Sequence, residues 1–257
     1  MQGLSKPEII LALDVDTLKE AKRFVGLLYP KIRLFKIGSQ LFTACGPSVV
    51  KMVGDKGGKV FLDLKFHDIP NTVYQSVTSG TLTGSTVIFE TARTDMADSA
   101  KDVITPPVFM MTVHIKGGRA MLEEAARGAT EEAKRLGIDK PFIVGVTRLT
   151  SDESDVDILQ DVLRAAKLAK DSGLDGVVCS ALEAKAVRKT HGEQFVIVTP
   201  GIRSERAVAD DQKRTATVQE AIKAGSNFLV IGRPILKALD PLSKAEELLK
   251  ELSGARN

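Results

Sequence analysis

The stretch FLDLKFHDIPNT, from Phe61 to Thr72, begins as a hydrophobic strand and ends in a charged loop. Side chains on a strand alternate between its two faces, so Asp63 and Lys65 are expected on one face and Leu62 and Leu64 on the other. An ammonium group beside carboxylates at the end of a strand is costly to remove from water. Because charged groups of this kind cluster at functional sites, the stretch predicts a reactive centre at the end of a buried strand.

This strand belongs to a series of eight hydrophobic runs that are spaced fairly evenly along the chain. Several runs are continuously apolar, such as IILAL at 9–13 and FIVGV at 142–146. That pattern is typical of parallel strands that are buried on both faces. The predicted strands are Ile9–Leu13, Arg33–Ile37, Lys59–Asp63, Val108–His114, Phe142–Val146, Gly176–Cys179, Phe195–Thr199 and Phe228–Ile231.

Amphipathic helical patterns lie between the predicted strands. They cover Thr17–Leu28, Arg119–Leu136, Ile158–Ser172, Ala181–His191, Thr217–Ala224 and a last helix from Pro241 to near Leu252. Eight β–α alternations in 257 residues predict an α/β fold, a (β/α)₈ TIM barrel in which residues 1–257 form a single domain. A doubly wound sheet is the competing architecture, but no Gly-x-Gly-x-x-Gly turn follows the first strand.

One stretch, at about 73–107, departs from the alternation. It is roughly twice as long as a single crossover helix needs. We therefore expect an insertion here, with an extra strand at Thr86–Glu90 and a short extra helix at Asp95–Val103.

The composition excludes several classes of protein. Hydrophobic residues make up 43% of the chain and the net charge is +3, with no basic stripe that would favour nucleic-acid binding. No apolar run approaches the roughly 20 residues that span a bilayer, and the first residues do not resemble a secretory signal. The two cysteines lack metal-ligand spacing, which favours a reducing cytoplasm.

Charged residues follow the first three predicted strands. In a barrel the reactive groups lie at the C-terminal ends of the strands, so Asp14, Lys36, Asp63, Lys65 and Asp68 are expected to converge there. Alone, Asp14 could be a helix N-cap and Lys36 a solvated lysine. Five charges at one rim favour a functional site over these separate explanations.

The last two strands carry a candidate phosphate site. Gly232 and Arg233 follow the eighth strand, where barrels commonly bind phosphate, and Arg203 follows the seventh. The polar stretch Gly201–Thr215 is either a loop that closes over substrate or an ordinary solvated loop. The histidines lack neighbours at metal-ligand spacing, so no metal site is predicted.

The chain closely resembles the orotidine 5′-monophosphate (OMP) decarboxylases over nearly its whole length. The resemblance is carried by D-x-K-x-x-D-I-P in the opening stretch and by further blocks in the same order. These blocks are LALD at 11–14, FKIG at 35–38, GVTRLTS at 145–151, GLDGVVCSALEA at 173–184, VTPGIR at 198–203 and IGRPI at 231–235. The longer path at 73–107 is where the chain departs from that family.

The resemblance implies a homodimeric TIM barrel that converts OMP to UMP, the last step of UMP synthesis, without a metal or organic cofactor. It implies that Lys65 protonates the C6 carbanion and that Asp63 lies beside the departing carboxylate. Lys36 would complete the charge network. Asp68 and Thr72 would reach into the partner subunit's site.

The resemblance also implies a set of substrate contacts. Asp14 and Lys36 would bind the ribose, Thr150 and Ser151 would face the pyrimidine, and Gln212 would reach the phosphate from the closing loop. The full set of implied substrate-binding residues is Asp14, Lys36, Thr72, Thr150, Ser151, Pro200, Arg203, Gln212, Gly232 and Arg233.

Three alternatives stay open from the residues. A Mg²⁺-dependent sugar-phosphate lyase or synthase on the same barrel shares Asp-x-Lys-x-x-Asp, but Phe66-His67, Ile69–Thr72 and Gln212 favour the nucleotide enzyme. A nucleotide-binding homologue impaired by the insertion would bind UMP without turnover. A Schiff-base aldolase using Lys65 is disfavoured, because flanking carboxylates favour the charged, non-nucleophilic amine.

Overall fold

The computed structural model describes residues 6–85, 106–148, 157–203 and 215–254. The predicted extra strand and helix at Thr86–Glu90 and Asp95–Val103 lie outside the described residues, so the insertion and the extent of the domain stay predictions. Thr150, Ser151 and Gln212 also lie outside them.

Eight parallel strands close into a barrel. The fold class predicted from the sequence is therefore confirmed. The barrel strands are β1 (Glu8–Ala12), β2 (Leu34–Gly38), β3 (Lys59–Phe66), β4 (Val108–His114), β5 (Phe142–Val146), β6 (Gly176–Val178), β7 (Val196–Thr199) and β10 (Phe228–Ile231). Around the barrel they follow the order β1-β10-β7-β6-β5-β4-β3-β2. Two short strands, β8 (Ile202–Arg203) and β9 (Ala216–Thr217), form a small separate sheet.

Helices surround the barrel. Those described are α1 (Leu18–Leu28), α2 (Ser39–Cys45), α3 (Pro47–Asp55), α4 (Pro70–Leu82), α5 (Gly118–Leu136), α6 (Ile158–Asp171), α7 (Ala181–His191), α8 (Val218–Lys223), α9 (Arg233–Leu236) and α10 (Pro241–Gly254). Among the described residues, no helix is long and apolar enough to cross a membrane.

The core has two layers because the strand side chains alternate. Ile10, Phe61 and Met110 point into the barrel and pack on one another. Their neighbours Leu11 and Leu62 point outward and pack against the helices. Both faces of each strand are therefore buried, as the continuous apolar runs indicate.

The strand that carries the opening motif is longer and less regular than its alternation predicts. It was expected to end at Asp63 but runs to Phe66. The pairing of β3 with β4 shifts between Leu62 and Phe66, and Lys65 adopts a left-handed backbone with φ of 52°. The simple alternation that places Asp63 and Lys65 on one face therefore ends before Lys65.

Candidate active site

Four charged side chains from the first three strands form an alternating chain at the C-terminal rim of the barrel. The Lys36 Nζ lies 3.0 Å from Asp14 Oδ1 and 3.7 Å from Asp63 Oδ2. The Lys65 Nζ lies 2.9 Å from the same Asp63 oxygen. Each ammonium thus has a carboxylate beside it, and Asp63 Oδ2 is shared by both lysines.

The inner members of this charge chain are buried and its ends are open. The side chains of Lys36 and Asp63 are 12% and 13% exposed, whereas those of Lys65 and Asp14 are 37% and 49% exposed. The pair in the middle is therefore held away from water. The Lys65 ammonium and the Asp14 carboxylate remain available to a bound molecule.

Thr112, on β4, contacts the charge chain directly and was not predicted from the sequence. Its hydroxyl donates to Asp63 Oδ1 over 3.0 Å and accepts the backbone N–H of Lys65 over 2.8 Å. The residue is fully buried. The only signal in the sequence was one hydroxyl in the apolar run FMMTV at 109–113.

Two glycines make room for the charged groups. A Cβ on Gly38 would lie 2.9 Å from Lys36 Nζ, and a Cβ on Gly232 would lie 3.3 Å from Asp14 Oδ2. A side chain at either position would displace a member of the charge chain. The second contact also shows that the turn after β10 lies directly beside Asp14.

The candidate phosphate residues follow neighbouring strands. Gly232 and Arg233 join β10 to α9, while Pro200 and Arg203 follow β7, which pairs with β10. Arg203 lies on β8 and is half-buried. Parallel pairing of β7 and β10 brings the two arginine-bearing segments to the same part of the rim.

Asp68 and Thr72 follow β3 at the same rim. Both residues are exposed, and Asp68 Oδ1 accepts the backbone N–H of Ile69 over 2.6 Å. No described residue forms an ion pair with Asp68, so the structure does not join it to the charge chain of its own subunit. Ile69 between them is a large apolar side chain that is 66% exposed.

Two histidines stack beside Lys65. The rings of His67 and His114 are nearly parallel, with centroids 5.4 Å apart. Burial, the His67 ring and the nearby Lys116 and Lys65 ammonium groups all lower the pKa of His114. A neutral His114 is expected near neutral pH, so this residue adds little positive charge to the rim. No described group of acidic, histidine or cysteine side chains is arranged to hold a metal ion.

The family model described as Orotidine 5′-phosphate decarboxylase / HUMPS family matches residues 7–248. The chain belongs to this family. The match spans all eight barrel strands, including the strands that carry the charge chain and the turn at Gly232.

Individual relatives support the same assignment. The orotidine 5′-phosphate decarboxylase of Moorella thermoacetica is 40% identical, covering 96% of this chain and 93% of its own. That of Hahella chejuensis is 42% identical, covering 96% of this chain and 98% of its own. The crystal structure of the Lactobacillus acidophilus enzyme matches with a TM-score of 0.77 at 33% identity, covering 96% of this chain and 99% of that one.

The structure brings together some of the predicted family site residues and leaves others apart. Asp14, Lys36, Asp63 and Lys65 form one connected network. Gly232 lies beside that network, since a Cβ on it would be 3.3 Å from Asp14 Oδ2. A lysine ammonium at the open end of such a network can stabilise negative charge on a bound molecule and can donate a proton to it.

Proposed function

We propose that this chain converts orotidine 5′-monophosphate to UMP and carbon dioxide without a metal or organic cofactor. The observation that carries the proposal is the Asp14–Lys36–Asp63–Lys65 charge chain in a member of this family. The relatives described above are named orotidine 5′-phosphate decarboxylases, and this chain matches them over nearly their full length. No observation favours a sugar-phosphate lyase or synthase.

In the proposed reaction the bond between C6 and the carboxylate breaks, carbon dioxide leaves and the electron pair stays on C6. No adjacent carbonyl delocalises that pair. The Lys65 ammonium, fixed by Asp63, stabilises the developing charge without having to reorganise. A proton then moves from Lys65 Nζ to C6, which yields UMP.

The neighbours of Lys65 orient it and bind the ribose. Asp63, beside the departing carboxylate, accepts a hydrogen bond from Lys65 and forms an ion pair with Lys36, and so holds the Lys65 ammonium in place. Lys36 and the open carboxylate of Asp14 are proposed to bind the ribose hydroxyls. The exposure of Asp14 and its contact with the Gly232 turn support this role, because a ribose would lie between the base and the phosphate.

The phosphate is proposed to bind beside the turn after β10, to Arg203, Gly232 and Arg233, with Pro200 lining the same segment. Arginine suits this role because its planar group donates two hydrogen bonds to an oxyanion. Gln212 is proposed to join them from the Gly201–Thr215 loop, and Thr150 and Ser151 to face the pyrimidine. Phosphate binding far from C6 would then help to assemble the site.

We further propose a homodimer in which Asp68 and Thr72 enter the partner's site. Their exposure, the exposed apolar side chain of Ile69 and the lack of a described ion pair to Asp68 support this arrangement. A cytoplasmic location is also proposed, supported by the small number of cysteines, two in 257 residues. Sedimentation of the purified chain at the mass of a monomer would contradict the dimer.

The decisive experiment follows the ultraviolet absorbance of OMP with the purified chain in EDTA. We expect conversion to UMP, and we expect Lys65→Ala to lower kcat about a thousandfold or more, because both charge stabilisation and the proton donor are lost. Binding of UMP should persist in this variant, since the phosphate contacts are intact.

The matched control is Lys51→Ala, which removes an exposed lysine paired with Asp55 on α3. It should retain wild-type turnover. Near-normal turnover by Lys65→Ala would disprove the assigned proton donor. Turnover that requires Mg²⁺ would indicate the lyase or synthase alternative, and UMP binding by a wild-type chain without turnover would indicate an impaired homologue.

A further inference from the structure

Thr112 is a buried polar residue that none of the proposed roles uses. It lies in the middle of the apolar strand β4, where Met110 and Met111 precede it and Val113 follows. A buried hydroxyl without partners would be unfavourable, so its partners indicate what it does. Both of its partners belong to the segment that carries Lys65.

The hydroxyl of Thr112 sets the orientation of the Asp63 carboxylate. It donates to Asp63 Oδ1 over 3.0 Å, and this leaves Oδ2 for Lys65 at 2.9 Å and Lys36 at 3.7 Å. Rotation of the carboxylate about its Cβ–Cγ bond would break the hydrogen bond to Thr112. The hydroxyl therefore holds one oxygen so that the other faces both lysines.

The same hydroxyl also holds the backbone of Lys65. The pairing of β3 with β4 passes from Leu62–Met111 to Phe66–Val113, so several β3 residues lie opposite Thr112 alone. In this irregular stretch the Lys65 N–H donates to the Thr112 hydroxyl over 2.8 Å. This hydrogen bond stabilises a left-handed backbone conformation at Lys65, with φ of 52°, that residues other than glycine rarely adopt.

We propose that Thr112 is a positioning residue for decarboxylation, because one buried hydroxyl fixes both the Asp63 carboxylate and the backbone from which Lys65 extends. The inference rests on the proposed function. Thr112 itself does not touch the reacting atoms. Its effect is expected on kcat rather than on substrate binding, because the phosphate residues lie on other strands.

The test compares Thr112→Val, which keeps the shape and removes the hydroxyl, with Thr112→Ser, which keeps the hydroxyl. We expect Thr112→Val to lower kcat for OMP by roughly 10- to 100-fold, the usual loss when a buried hydrogen-bond partner is removed near reacting groups. The KM should change less than about threefold, and Thr112→Ser should stay within about threefold of wild type. Thr112→Ala serves in place of the valine variant if that variant does not fold.

The matched control is Thr81→Val, which removes another fully buried, hydrogen-bonded threonine hydroxyl, on α4. It should leave kcat within about threefold of wild type, the range expected of a hydroxyl that does not position reacting groups. Three results would overturn the proposal: an unchanged kcat in Thr112→Val, an equal loss in Thr112→Ser, or a loss confined to KM.

Crystal structures of the valine and serine variants separate this proposal from the proposed function. The valine variant should show a rotated Asp63 carboxylate and a displaced Lys65 Nζ, and the serine variant should show neither. If wild-type protein fails to turn over OMP, the proposed function fails but this structural comparison still decides the role of Thr112. Unmoved Asp63 and Lys65 in the valine variant would reject it.

Discussion

Lys65 is the proposed proton donor, and its backbone conformation is unfavourable. Its φ of 52° lies in the left-handed region, where the Cβ of an L-residue crowds the backbone. The Thr112 hydroxyl accepts its N–H, and Asp63 accepts from its ammonium. Thr112 and Asp63 thus hold Lys65 in place, and its position requires local backbone strain.

The strain predicts a difference in stability between two inactive variants. Lys65→Gly and Lys65→Ala both remove the ammonium, but only glycine adopts positive φ without crowding. We expect the free energy of unfolding, measured in urea, to be about 1 kcal/mol higher for the glycine variant than for the alanine variant. This difference already allows for the greater conformational freedom of glycine in the unfolded chain.

The matched comparison is Gly against Ala at Lys36, on the regular strand β2. There the glycine variant should be less stable than the alanine variant, because glycine weakens a regular strand and no positive φ is required at this position. An alanine variant at position 65 that is as stable as the glycine variant would contradict the strained conformation.

At the scale of elements, several strands and helices follow directly from local patterns. Val108–His114, Phe142–Val146 and Phe228–Ile231 were predicted to the residue, because each apolar run is bounded by turn-forming or polar residues. The helix Ala181–His191 was also predicted to the residue, and Ser180 caps it. Such patterns are local, so they are visible without a structure.

Other features depend on contacts that no local pattern contains. The helices α2 and α3 were not predicted, because each is short and Gly46 with φ of 59° separates them. The bridge from Thr112 to Asp63 and Lys65 joins residues 49 and 47 positions apart. The convergence of Asp14, Lys36, Asp63 and Lys65 was predicted because strand ends meet at one rim, but their distances were not.

The turn from β10 into α9 yields a prediction about phosphate binding. Arg233→Ala should raise the KM for OMP roughly 10- to 100-fold, since a charged hydrogen bond to an oxyanion is lost, while kcat changes less. Steady-state kinetics with OMP measure both constants.

Arg33→Ala is the matched control for that experiment. Arg33 is exposed and immediately precedes β2, at the end of the barrel opposite the charged rim. Its replacement should leave both kinetic constants unchanged. An Arg233→Ala variant with wild-type KM would show that the phosphate binds elsewhere.

At the scale of the whole molecule, the proposed dimer makes a testable prediction about Asp68. Asp68, Ile69 and Thr72 are exposed at the start of α4, and Ile69 is a large apolar side chain among polar ones. In a twofold dimer, each of two sites would receive the partner's Asp68.

Mixing two inactive variants tests this arrangement. Lys65→Ala and Asp68→Asn should each be nearly inactive alone. After mixing and subunit exchange, about a quarter of wild-type activity should appear, because about half of the dimers are mixed and each contains one intact site.

The control mixes Lys65→Ala with the double variant Lys65→Ala/Asp68→Asn. No dimer in that mixture contains Lys65, so no activity should appear. Failure of the first mixture to recover activity, despite proven subunit exchange, would mean that Asp68 serves its own subunit.

Because β1 pairs with both β2 and β10, the barrel closes only after its last strand has been made. During synthesis on the ribosome, the first four strands, which include Thr112, can bring Lys36, Asp63 and Lys65 together long before Ile231 emerges. Until then one edge of β1 has unpaired backbone N–H and C=O groups, which can pair with another nascent chain. The turn at Gly232 then reaches Asp14 in one of the last steps, so a complete nucleotide pocket marks a finished barrel.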